Sequence, residues 1–165
     1  MIITDTNNHP EFFADIRKRG KIVAVSGYFD PPHPDHISYF REAKRLGAIL
    51  VVILNTDEQL LLKRKGTPLE GRIRYPFEDR AIIINELKPV DVVVRAIDKD
   101  TSIAETLRFI RPHIFAKGGD RTLDTLPQAE KDTAKEVGYE IVCNVGAEKT
   151  HSSSWYDWED GKLDK

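Results

Sequence analysis

The amino-acid sequence predicts an α/β fold built on a single doubly wound, mostly parallel five-stranded sheet. Three observations carry this. Five short apolar runs rich in β-branched residues, at 22–25, 48–54, 90–94, 112–116 and 139–145, alternate with stretches of helical periodicity. The links between them are short, as right-handed strand–helix–strand crossovers require. Polar clusters also fall directly after strands, at 27–36, 117–121 and 146–154. That is where such sheets bind ligands, at the carboxyl ends of their strands.

Each element has its own signal. Residues 1–9 are polar and read as loose chain. Residues 10–19 carry Phe12, Phe13 and Ile16 on one side, the pattern of a short helix laid on the sheet. After the strand at 22–25, Ile37, Phe40, Ala43 and Leu46 repeat at helical spacing, and Gly47 supplies the stop. Residues 48–54 (AILVVIL) form an unbroken apolar run, as a strand buried on both faces does. Residues 57–62 suit one or two helical turns. Residues 63–75 hold Lys63, Arg64, Lys65, Arg72 and Arg74 with two glycines, and read as an exposed basic loop. Pro76 opens a helix with Glu78 and Asp79 in its first turn and Ala81, Ile84 and Leu87 on its apolar face. The strand at 90–94 follows, then a helix at 101–110 capped by Thr101 or Ser102. The strand at 112–116 leads to Lys117-Gly118-Gly119-Asp120-Arg121. A helix at 127–137 stops at Gly138, and the strand at 139–145 places Cys143 in the core. The remainder holds Ser152, Ser153 and Ser154, then Trp155, Trp158 and an acidic tail.

Composition narrows the class. A chain of 165 residues, 40% hydrophobic and 32% charged, suits one domain, with 1–20 as an N-terminal extension and 155–165 as a C-terminal tail. A net charge of −2 gives no broad attraction to nucleic acid or to an anionic membrane. No apolar run approaches the roughly 20 residues that span a bilayer, and the first residues lack the pattern of a secretory signal. A single cysteine allows neither an intramolecular disulfide nor a cysteine metal cluster, which favours the cytoplasm.

The densest chemistry lies at the first strand-to-helix turn, where Gly27, Asp30, His33 and His36 fall within ten residues. A helix N-terminus offers unpaired N–H groups and a partial positive charge, so it holds phosphate well. Imidazoles there add donors to the same anion. Taken alone, the pair also fits an exposed proline-rich turn, or two metal ligands with Asp30 or Asp35 as a third.

Gly27-Tyr28-Phe29-Asp30 followed by His33-Pro34-Asp35-His36 resembles the hallmark of the cytidylyltransferase-like nucleotidyltransferase superfamily, a Gly-x-Phe-Asp segment leading to His-x-Gly-His. The resemblance extends over residues 21–154. It takes in Asn55-Thr56-Asp57, Glu78-Asp79-Arg80, Val90-Asp91, Lys117 to Asp120 and the serine triplet. Among its members the chain is most similar to the heptose-phosphate adenylyltransferase and glycerol-3-phosphate cytidylyltransferase group.

The resemblance implies a Rossmann-like nucleotidyltransferase fold and attack by a substrate phosphate on the α-phosphorus of ATP or CTP, with release of pyrophosphate. The acceptor would be a sugar or polyol phosphate, and Mg2+ would enter with the triphosphate. His33 and His36 would hold the triphosphate, with His36 nearest the α-phosphorus, and Gly27, Tyr28 and Phe29 beside it, with Asp30. Lys65 is the best match to the family's catalytic lysine, with Lys63 in reserve. Arg80 would grip phosphate, and Lys117, Gly118, Gly119 and Asp120 would lie along base and ribose. Ser152, Ser153 and Ser154 would cap the β- and γ-phosphates. Lys117 to Asp120 favours ATP over CTP. Related enzymes are often homodimers.

Two departures stand out. Asp35 replaces the family's glycine and brings a negative charge toward the anion unless it turns away as a cap. Ala147 stands where cytidylyltransferases for glycerol phosphate carry arginine. Asp35 motivates the alternative of a nucleotide-binding module with impaired catalysis.

Overall fold

A computed structural model describes residues 1–5, 9–119 and 121–146. Its strands are β1 (Ile2–Ile3), β2 (Ile22–Gly27), β3 (Ile49–Leu54), β4 (Val92–Arg95), β5 (Ile114–Gly118) and β6 (Glu140–Val145). The helices are α1 (Pro10–Arg19), α2 (Pro34–Arg45), α3 (Asp57–Arg64), α4 (Phe77–Asn85), α5 (Ala104–Ile110) and α6 (Gln128–Val137). All strand pairings are parallel, in the order β1-β4-β3-β2-β5-β6.

Alternate residues of each central strand enter opposite cores, which is why their sequences are apolar throughout. Val23, Val25, Leu50 and Val52 pack under α2 and α4 with Phe40, Ala43, Ala81 and Ile84. Ile22, Ala24, Val51 and Ile53 pack on the other side with Phe13, Ile16, Leu107 and Ile110 of α1 and α5. Both faces are covered, so the sheet is doubly wound as expected. From β2 the chain runs outward through β3 to β4, then returns to lay β5 against the other edge of β2. The switch in strand order therefore lies between β2 and β5, and the crevice beyond their carboxyl ends is the expected ligand position.

The sheet has six strands rather than five. Residues 1–9, expected to be loose, contribute β1, whose Ile2 and Ile3 register with Val93 and Val94. The basic stretch 63–75 is not wholly exposed either. α3 continues through Arg64, which is buried. Neither Thr101 nor Ser102 caps α5. The Asp98 carboxylate does so from outside, accepting the Glu105 N–H at 2.7 Å and the Thr106 N–H at 3.1 Å. Helix α2 starts one turn earlier than its apolar spacing indicated, because Pro34 suits a first helical position.

Candidate active site

At the end of β2 the chain turns sharply through Phe29, whose φ of 49° is left-handed. The Phe29 ring folds back over Gly27, where an added Cβ would stand 2.6 Å from it. Glycine is thus needed here for close approach. The same ring stands edge-on to His36 and Phe40, with centroids 4.7 and 5.0 Å away. Phe29 is a platform that fixes one face of His36 and ties it to the core.

His33 caps α2, and His36 is its third helical residue. Their rings stack with centroids 3.6 Å apart. The His33 backbone N–H donates to His36 Nδ1 at 3.2 Å. An imidazole nitrogen that accepts a backbone N–H carries no proton, so the His36 proton resides on Nε2, which is left as the donor. Asp35 is half-buried in the same first turn and lines the cavity, so it has not turned away.

The cavity has a volume of about 920 Å3 and opens at the switch in strand order. Its walls bring together His33, His36, Gly27, Tyr28, Phe29 and Asp30 from the β2–α2 side. Lys117, Gly118 and Gly119 join them from β5. Gly118 lies against the Tyr39 ring, 2.8 Å from where a Cβ would sit, and Tyr39 Oη donates to the Ala116 carbonyl at 2.6 Å. Gly118 thus lets α2 and β5 close on each other at the site.

Several expected residues have other positions. Lys65 lies outside this cavity, in a separate apolar groove with Leu61 and Leu62, because α3 ends before it. Lys63 lines the cavity instead, with Nζ 4.5 Å above the Tyr28 ring. Arg80 does not reach the cavity. It is fully buried, and its guanidinium donates to the carbonyls of Tyr75 (2.9 Å), Tyr28 (2.5 Å) and Asn55 (3.1 Å) and to Asp57 (2.6 Å). It clamps the turns that follow β2 and β3 and the segment that enters α4. Asp30 likewise turns inward. Its carboxylate accepts Arg64 (2.8 Å) and the backbone N–H groups of Arg74 (3.0 Å) and Tyr75 (2.7 Å). Asp120, Ser152, Ser153, Ser154, Trp155 and Trp158 lie outside the described residues. Cys143 is half-buried in β6.

Sequence reasoning missed Glu130. It is 3% exposed, lines the cavity, and faces Lys117 at 3.5 Å. Its only sequence signal was an acid in a helix first turn, which has an ordinary explanation in the helix dipole. Burial pushes the Glu130 carboxyl above the usual carboxylate range, and Lys117 opposes that rise. Burial also lowers Lys117 below the usual lysine value, against the pull of Glu130. The Tyr28 phenol is pushed up to about 12, chiefly by burial and then by the charges of Glu130 and Asp100. It therefore stays a protonated donor near neutrality.

A helix start, two imidazoles, two lysines and a wall of backbone around one cavity form a site suited to a polyphosphate. Among the described residues no three histidine, cysteine, aspartate or glutamate side chains converge as a metal site. No described helix is long and apolar enough to cross a membrane.

A sequence model of the cytidylyltransferase-like family matches residues 24–160, and the chain belongs to that family. It is 39% identical over 127 residues to the bifunctional protein HldE of Gluconobacter oxydans, covering 76% of this chain and 25% of that protein. It is 38% identical over 107 residues to the D-beta-D-heptose 1-phosphate adenylyltransferase of Bordetella bronchiseptica, covering 65% of this chain and 63% of that one. The chain thus spans a quarter of the first relative and less than two thirds of the second. A solved lipopolysaccharide core biosynthesis protein from Thermoplasma volcanium superposes with a TM-score of 0.62 at 25% identity, over 79% of this chain and 98% of that one. A pantoate-beta-alanine ligase from Francisella tularensis shares the fold, with a TM-score of 0.64 at 14% identity over 93% and 71% of the two chains.

Proposed function

We propose that this chain transfers AMP from ATP to a sugar phosphate and releases pyrophosphate. The observation that carries the reading is the stacked His33–His36 pair at the start of α2, on the wall of a cavity at the switch in strand order. An oxygen of the acceptor phosphate attacks the α-phosphorus. A new P–O bond forms as the bond to the bridging oxygen of the β-phosphate breaks, and that oxygen leaves with pyrophosphate. No covalent enzyme intermediate is needed, so the residues position and stabilise charge. His36 donates from Nε2 to the α-phosphate oxygens. His33 and the first-turn N–H groups of α2 hold the rest of the triphosphate. Lys63, rather than Lys65, neutralises the developing charge, since it alone of the two lines the cavity. Arg80 and Asp30 act by holding the surrounding turns.

Gly118, Gly119 and Asp120 lie along the nucleoside, and Ser152, Ser153 and Ser154 cap the β- and γ-phosphates. Mg2+ would enter with the triphosphate, held mainly by phosphate oxygens and water, and would lower their charge. The Lys117-Gly118-Gly119-Asp120 segment and the adenylyltransferase named among the relatives both support ATP over CTP. The same relative supports a heptose 1-phosphate as acceptor. We read residues 1–165 as one nucleotidyltransferase domain working in the cytoplasm on small molecules, with neither nucleic acid nor membrane as partner. A homodimer is the expected assembly, and the exposed Leu62 and Ile82 offer apolar surface to a second copy.

The test mixes the purified chain with Mg2+, each nucleoside triphosphate in turn and a panel of sugar phosphates that includes D-β-D-heptose 1-phosphate. Pyrophosphate release with ATP is expected. Release with no pair, while nucleotide still binds, would refute the reading.

A further inference from the structure

The last turn of α3 meets the turn after β2 through two successive side chains. Arg64 turns inward, and its guanidinium donates to Asp30 Oδ2 at 2.8 Å and to the Arg72 carbonyl at 2.6 Å. Lys63 lies on the cavity side instead, with Nζ 4.5 Å from the centroid of the Tyr28 ring. The two partners differ in freedom. Tyr28 is fixed through its backbone, because the Arg80 guanidinium donates both to its carbonyl and to that of Asn55, just ahead of α3. The left-handed Phe29 follows it directly. Tyr28 Oη is buried and meets no hydrogen-bond partner among the described residues, so the hydroxyl does not orient the ring. Lys63 has a long flexible stem and much rotamer freedom to lose. The face of an aromatic ring attracts an ammonium, more strongly where water is partly excluded.

We propose that Tyr28 is a positioning residue for Lys63: its ring face holds the ammonium inside the cavity, where charge develops on the phosphates. The Arg64–Asp30 pair and the Arg80 clamp set the distance between α3 and the turn, and the ring selects the lysine's rotamer. A ring engages one side of an ammonium, so N–H groups are left for phosphate oxygens. An ammonium already in place meets the transition state without first losing its rotamer freedom, and that gain falls on kcat. The inference rests on the nucleotidyltransferase reading, with Lys63 as its lysine, and gives the Tyr28 side chain a task which that reading leaves unassigned.

Pyrophosphate release from ATP and D-β-D-heptose 1-phosphate, measured on the full chain, tests it. Tyr28→Leu should lower kcat by about three- to thirtyfold, the scale of a cation–π contact, with KM for ATP changed far less. Tyr28→Phe keeps the ring and should restore most of the lost rate. In a Lys63→Ala background, Tyr28→Leu should change kcat by less than about twofold, because the group it positions is gone. An equal loss in both backgrounds would mark a merely structural role and overturn the proposal. So would a Tyr28→Phe protein as slow as Tyr28→Leu. Should Tyr28→Leu fail to fold, trifluorophenylalanine in place of Tyr28 decides, since it keeps the ring's shape and drains charge from its face. It should be slower than Tyr28→Phe by about threefold or more, and equal rates would overturn the proposal. Lys63→Ala at the wild-type rate would overturn it too, leaving nothing to position. Failure of the parent reading looks different, since wild type would then release no pyrophosphate.

Discussion

Arg80→Met separates a guanidinium that builds the site from one that touches the substrate. Methionine keeps most of the stem's volume and removes every donor. Three carbonyl oxygens, of Tyr28, Asn55 and Tyr75, lose their partner, and Asp57 loses its counter-charge at 2.6 Å. Breaking a buried pair from one side costs about 3–5 kcal/mol. The Asp57 side chain is 26% exposed and regains some hydration, so the lower end, about 3 kcal/mol, is the expectation. For a chain of this size each kcal/mol moves the midpoint by about 2–4 °C, giving a fall of about 6–12 °C. Urea and thermal unfolding followed by far-UV circular dichroism measure it, with ATP titration well below the midpoint as the companion. Stability should drop while ATP affinity of the folded protein changes far less. A variant within about 1 kcal/mol of wild type that has lost most of its ATP affinity would refute the reasoning and put Arg80 on the phosphates.

Four further expectations follow from the same geometry. His36→Ala should lower kcat for pyrophosphate release by about 100-fold or more, as loss of a charge-stabilising donor does; a change of only a few-fold would contradict its placement. Lys63→Ala should slow release by about 10- to 100-fold, whereas Lys65→Ala should stay within about threefold, as for an ordinary surface substitution; the reverse order would restore Lys65 to the chemistry. Asp35→Gly removes a like charge from the anion's side of α2 and should tighten ATP by about two- to tenfold in calorimetry; weaker binding would show that the carboxylate has its own ligand contact. The Tyr28 phenol, raised from 10.0 to about 12, is protonated more tightly in the folded state than in the unfolded chain. Its contribution to stability is therefore intact below about pH 10 and is lost as pH rises through about 12, and a wild-type minus Tyr28→Phe phenolate spectrum titrating near 10 would contradict this.

The sheet was legible where burial is two-sided. Residues 22–25 and 48–54 are apolar at every position because neighbouring side chains enter different cores. β1 was not legible. Two isoleucines in a polar stretch carry no periodicity, and only pairing with β4, far along the chain, makes them a strand. The turn at Gly27 to His36 was legible as a site because glycine, proline and paired imidazoles cluster there. The fate of its charged members was not. Asp30 and Arg80 looked like ligand groups, but their partners are backbone N–H and carbonyl groups of distant turns, which composition does not reveal. Lys63 and Lys65 could be ranked only once the end of α3 was known. Glu130 was hidden because an acid in a helix first turn has an ordinary explanation, and only its burial opposite Lys117 gives it another.

A crystal structure of the chain with Mg2+ and an ATP analogue that cannot be cleaved at the α-phosphorus tests the central claim most directly. The account places the α-phosphate within hydrogen-bond distance of His36 Nε2, at the N-terminus of α2, with the nucleoside toward β5. A triphosphate bound elsewhere, with both imidazoles facing only solvent, would contradict it.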